Sequence, residues 1–123
     1  MRSKFVKDLA ALPPENPETQ AAETAIFAAE LGGSAETLDL HGLNRNEAEQ
    51  AMLDFLNHEF ADPPGRKDVK VVKIIHGGGE GVLKKMVADY LSGQGKIFVL
   101  RYRQSEDLRQ AHGAVFAALA PNS

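Results

Sequence analysis

Two short histidine-bearing stretches carry the residues best suited to chemistry, Leu38-Asp39-Leu40-His41-Gly42 and Ile74-Ile75-His76-Gly77-Gly78-Gly79-Glu80-Gly81. In an extended segment alternate side chains share a face, so Asp39 and His41 point one way and Leu38 and Leu40 the other. A carboxylate beside an imidazole can orient it and raise its basicity, and an imidazole titrating near pH 6.5 suits general acid–base work. The pair also has a purely structural use, with Asp39 capping a turn and His41 bonding backbone. After His76, glycines let backbone N–H groups approach a ligand as an anion nest, ahead of a helix N-terminus whose dipole favours negative charge. Lys84 and Lys85, in the first turn of that helix, add cations. The same glycines would equally serve a loop that needs left-handed residues.

Other chemistries fit less well. The glycine stretch lacks the Gly-Lys-Ser/Thr ending of a Walker A loop. It also lacks dinucleotide-fingerprint spacing, with no acidic residue about twenty positions on. Asp39, His41 and His76 could in principle make a three-ligand metal site, but no paired-histidine ligand motif supports one and the chain has no cysteine. A divalent metal is therefore neither required nor supported, and no cofactor is expected. Arg101 and Arg103 alternate with Leu100 and Tyr102, so both face one side of a strand, suited to phosphate-backbone contact or to plain solvation. His58 reads as a helix-surface residue and His112 as a turn residue.

The elements that must position these groups follow from periodicity. Phe5, Val6, Leu9 and Leu12 mark an amphipathic helix over residues 1–12, stopped by Pro13-Pro14-Glu15-Asn16-Pro17. An Ala/Glu-rich helix over 18–31 ends at Gly32-Gly33. This acidic arm could dock, pair with a partner or stay mobile. Thr37 to Leu40 form a short strand. Asn44 with Glu47 makes a capping box for a helix that buries Ala48, Ala51, Met52, Phe55, Leu56 and Phe60. Val69 to Ile75 is a dense β-branched run, expected as an inner parallel strand. A second amphipathic helix runs from Val82 to Leu91, a third strand over 97–103, a polar loop over 104–112, and a last strand over 114–119. Strand and helix alternate, so right-handed parallel crossovers are expected, with the final strand returning antiparallel. The fold class is α/β, a βαβαββ two-layer sandwich with a mixed four-stranded sheet, plus an N-terminal helical arm. The expected division is a helical extension over 1–35 and the sandwich over 36–120.

With 123 residues, 43% of them hydrophobic, the chain suits one domain with a single core. No apolar run approaches the ~20 residues of a membrane span and no signal-peptide pattern opens the chain, so a cytoplasmic protein is expected. The net charge of −3 hides an asymmetry. Residues 1–62 hold 4 Lys and Arg against 12 Asp and Glu, while residues 63–123 hold 10 against 5. A basic second half suits a polyanion, though the halves could equally attract each other within the fold.

Taken in order, Leu38-Asp39-Leu40-His41-Gly42, a helix containing Glu47-Ala48, Ile74-Ile75-His76-Gly77-x-Gly79-x-Gly81-x-Leu83-Lys84 and a late Gly113-Ala114-Val115 strand resemble a Smr (small MutS-related) domain of the stand-alone type. The resemblance covers about residues 36–120. It implies a fold similar to the C-terminal domain of bacterial translation initiation factor three. It also implies endonuclease activity, as nicking of DNA or cleavage of RNA, including mRNA on stalled ribosomes. Carried over, Asp39 and His41 belong to cleavage, and His76, Gly77 and Gly79 to nucleic-acid contact. One departure is that Gln110-Ala111-His112-Gly113-Ala114 has a single glycine where the family has more.

The residues and the resemblance together give an expected site. His41 acts as general base or acid, oriented by Asp39, and His76 is a second acid–base candidate or phosphate contact. Gly77, Gly78, Gly79, Gly81, Lys84, Lys85, Arg101 and Arg103 hold phosphate. The expected partner is RNA or DNA, with the ribosome implied by resemblance alone and no membrane. The alternatives are a module that docks on RNA or a ribosome without cutting, and a protein-interaction domain led by the acidic arm.

Overall fold

Pro17 opens the first helix of the structure, because a fixed φ and a missing N–H cost nothing at a first helical position. The structure, a computed structural model, describes residues 17–77, 81–105 and 113–122; the helix expected over 1–12 lies outside them. In chain order the elements are α1 (Pro17–Glu30), β1 (Glu36–Asp39), α2 (Arg45–Ala61), β2 (Lys70–Ile75), α3 (Val82–Ser92), a 3-10 turn (Gln94–Ile97), β3 (Val99–Ser105) and β4 (Ala114–Leu119).

The strands form one mixed sheet in the order β1-β2-β4-β3. β1 and β2 are parallel, and β4 lies antiparallel between β2 and β3. The α3 crossover therefore skips one position in the sheet, and the returning β4 fills it. β4 is buried along its whole length. Its alternate residues feed two cores, which is why the segment reads as a continuous apolar run. Val115, Ala117 and Leu119 meet α2 and α3 through Met52, Leu56, Val87 and Leu91, together with Leu40, Val72 and Ile74. Phe116 and Ala118 face α1, where Ala22, Ile26 and Ala29 cover them. The βαβαββ unit is thus a two-layer sandwich, and α1 adds a third layer on its other side.

The balance of forces on α1 decides how it is held. Glu23 and Glu30 pair with Arg101 and Arg103, at 2.8 Å for the closest contact. Such partly exposed pairs contribute about 0–1 kcal/mol each. Burying Ile26 alone contributes roughly 1.5–3 kcal/mol. Apolar contact therefore holds the helix, and the charges fix its register.

β3 begins two residues later than the periodicity implied. Phe98 N–H donates to Gly95 O and Lys96 N–H to Gly93 O, which coils the chain into a 3-10 turn. The turn leaves Ile97 exposed and sets Phe98 against Phe60, with ring centroids 5.1 Å apart. At the far end of α2, Lys70 Nζ reaches the buried Glu59 carboxylate at 2.8 Å and ties the helix to the start of β2.

Tyr90 sits in the main core. Burial first, and the Glu49 charge second, raise its pKa above the ordinary 10.0. A raised pKa means that the folded state binds this proton more tightly than the unfolded state. The stability it lends is complete below pH 10 and is lost as pH climbs through the higher folded value. Alkaline denaturation of Tyr90→Phe should lack this component, so wild type loses stability relative to the variant above about pH 10. Parallel stability curves for the two proteins in urea at pH 9 to 11 would refute it.

Candidate nucleic-acid interface

The two histidine stretches come together because their strands are neighbours. Asp39 pairs with Ile75 in the β1–β2 register, and one step further Leu40 N–H donates to Ile75 O at 2.7 Å. His41 follows directly on one member of this bonded pair and His76 on the other. Both therefore leave the sheet at the carboxyl ends of adjacent parallel strands, where open α/β sheets place ligands. The β3–β4 connection leaves from the same edge, since Ser105 pairs with Ala114.

The first stretch is a tight turn. Leu43 N–H donates to Leu40 O at 3.0 Å, and Gly42 has φ +86°. A left-handed third residue is the mark of a type II turn, which is why glycine stands there. Asp39 Oδ1 accepts from the backbone N–H of His41 at 2.9 Å, locking the turn, and both side chains are exposed. Leu40 is fully buried beneath them. The carboxylate thus holds the His41 backbone in place, beside an imidazole that stands at the solvent edge.

Behind the turn, α2 closes its own N-terminus. Asn44 Oδ1 accepts from Glu47 N–H and Glu47 Oε1 from Asn44 N–H, at 2.8 and 3.0 Å, in a reciprocal capping box. The N-terminus of α3 is the opposite case. Its N-cap is Gly81, no side chain caps it, and its first turn holds no acidic residue. Free N–H groups and a positive dipole end thus point out at α3 and not at α2, which favours an anion at the second stretch. Lys84 is exposed there with no partner among the described residues, whereas Lys85 pairs with Asp89 at 3.2 Å. Gly78 and Gly79 lie outside the described residues.

His76 occupies a different environment from His41. It is buried, with 4% of its surface exposed. Its Nδ1 lies 3.0 Å from Gly77 O and its Nε2 lies 2.6 Å from Gln104 Nε2. A carbonyl can only accept, so Nδ1 carries the proton and Nε2 accepts from the Gln104 amide. That amide also donates to Ala114 O at 3.1 Å. Both ring nitrogens are thus engaged inside the protein, and the imidazole clamps the carbonyl at the head of the glycine stretch. The backbone is fixed as well, because His76 N–H and Gly77 N–H both donate to Gly113 O. The single glycine before the last strand is required here. A Cβ on Gly113 would lie 2.6 Å from His76 Cε1.

The arginines expected to hold phosphate are placed elsewhere. Arg103 is bound by Glu30 and Glu23 at 2.8 and 3.1 Å, and Arg101 Nε lies 3.6 Å from Glu23. The acidic arm takes up this basic strand face, so the charge asymmetry of the two halves is partly internal. Sequence reasoning overlooked Gln104, assigned to a loop, and Lys73, a charge in the middle of the β2 run. The Lys73 signal was readable, since a cation in the middle of a covered strand needs an explanation; nothing local marks Gln104. Among the described residues no group of three or more His, Cys, Asp or Glu is arranged to hold a metal ion. None of the described helices is long and apolar enough to cross a membrane.

Comparison with known families matches residues 38–120 to the model described as Smr domain. No curated protein matches the chain.

Proposed function

The chain belongs to the Smr domain family, which is nuclease-like and nucleic-acid-binding, and on that premise we propose that it is an endonuclease acting on RNA at the carboxyl edge of β1 and β2. One observation carries the reading. The Leu40–Ile75 bond sets the exposed His41 turn next to His76, the start of the glycine stretch that leads into the uncapped N-terminus of α3, so a proton-transfer group and an anion-binding stretch leave the sheet side by side. His41 moves the proton of the attacking or the leaving oxygen. Backbone N–H groups at the head of α3, with Lys84, hold the phosphate and stabilise its charge. His76, with both nitrogens engaged, positions the backbone from Gly77 onward.

A second reading, a module that binds RNA without cutting, draws on the Asp39 carboxylate, whose bond to the His41 backbone serves the turn. Incubating the pure protein with end-labelled single-stranded and structured RNA and DNA, with and without EDTA, separates the two. Discrete cleavage products, formed from RNA in preference to DNA, are expected. Salt-sensitive binding with no product under any condition would establish the binding module instead.

A further inference from the structure

On the α1 side of the sheet, between the end of α1 and the strands, lies a cleft of about 450 Å3. It falls within the size range of ligand sites, roughly 300–1,000 Å3. Thr37, Lys73 and Phe116 form its sheet wall and Ser105 its edge, while Glu30 and Gly33 stand opposite. Lys73 pairs in register with Thr37 on one side and Phe116 on the other. The next row of the same face up holds Asp39 and Ile75. Leu38 and Leu40 pack toward α2 and α3, so Thr37 and Asp39 share the α1 face, two residues or about 6.6 Å apart. The cleft therefore lies directly below the carboxylate that locks the His41 turn.

Its chemistry is specific. Lys73 Nζ rests 5.6 Å from the centroid of the Phe116 ring and has no carboxylate partner among the described residues. Glu30, the acidic group on the opposite wall, is already bound to Arg103 at 2.8 Å. A cation with no carboxylate partner among the described residues therefore stands beside the Thr37 and Ser105 hydroxyls. We propose that this cleft takes one unpaired nucleotide of the bound strand, adjoining the cleaved bond, with Lys73 on its phosphate and its base held between the sheet wall and residues 29–35. Proteins that bind single-stranded nucleic acid place cations along the backbone and hold unstacked bases apart on their surface. Residues 29–35 build the wall facing the sheet and precede the matched family segment, so the arm completes the site.

The inference rests on the nucleic-acid reading above, and its test separates the two. The probe is a set of single-stranded RNA oligonucleotides, each with one abasic residue, titrated by fluorescence anisotropy against wild type, Lys73→Met and Thr37→Trp. Thr37 is exposed on an edge strand, so the tryptophan fills the cleft without disturbing the core. In wild type one abasic position should weaken binding about tenfold, the loss of about one bound base. Thr37→Trp should abolish that positional effect. Lys73→Met should weaken binding to every oligonucleotide and lower the slope of log affinity against log salt by about 0.7, one phosphate contact. A flat abasic scan, or an unchanged salt slope in Lys73→Met, overturns the cleft while a binding wild type keeps the nucleic-acid reading. Wild type binding no oligonucleotide overturns both.

Discussion

His41→Ala should keep its fold and its affinity for RNA while cleavage falls by about 10²–10⁴-fold, the usual contribution of one acid–base group. The fold should survive because the hydrogen bonds that close the turn use the backbone at this residue. Asp39 accepts from the amide N–H of residue 41, which alanine retains, and Leu40 O and Gly42 are untouched. Affinity should survive because the anion site is assigned to α3 and Lys84, beyond the neighbouring strand. Single-turnover cleavage, anisotropy and circular dichroism together read the three quantities. Undiminished cutting would remove His41 from the chemistry. Asp39→Asn refines the result, because an asparagine Oδ1 can accept the same turn bond without the charge. A rate loss in that variant assigns the carboxylate a charge effect on His41; a full rate leaves it holding the turn.

What could be read ahead of the structure was local. The Asn44–Glu47 box is set by residues three apart, and the β-branched run of β2 by composition alone, so both were visible as sequence. The placement of His41 and His76 at one edge followed from strand–helix alternation, because parallel neighbours bring their carboxyl ends together. Long-range pairing was not legible. Arg103 meets acidic residues 73 and 80 positions away, and no periodicity marks that choice. The insertion of β4 between β2 and β3 is likewise a property of the whole sheet. Gln104 illustrates the same limit, because it reaches His76 only after β3 extends to Ser105 and registers Gln104 against Val115.

These nonlocal contacts change how the candidate site divides its labour. Two histidines that look equivalent in sequence differ in depth and in bonding. The exposed one can exchange protons with a substrate, whereas the buried one spends both nitrogens on Gly77 and Gln104. The arm also changes character, from an appendage to a layer that neutralises two arginines and walls a cleft.

Gly113→Ala should destabilise the protein far more than one methyl group suggests. The added Cβ would lie 2.6 Å from His76 Cε1 and 3.3 and 3.4 Å from the two ring nitrogens, so it strikes the ring squarely. An exposed side chain would swing aside, but this ring is buried and tied at both nitrogens. Moving it breaks the bonds to Gly77 O and Gln104, each contributing about 0.5–1.5 kcal/mol, and leaving it produces overpacking of about 1–3 kcal/mol. A loss on the order of 2–4 kcal/mol in urea unfolding is expected, with weaker RNA binding because the Gly77 backbone shifts with the ring. The decisive measurement is the double-mutant cycle with His76→Ala. Removing the ring makes room for the methyl group, so the double variant should be clearly more stable than the sum of the single losses predicts. Additive losses, or a Gly113→Ala protein as stable as wild type, would show that the ring does not press on this glycine.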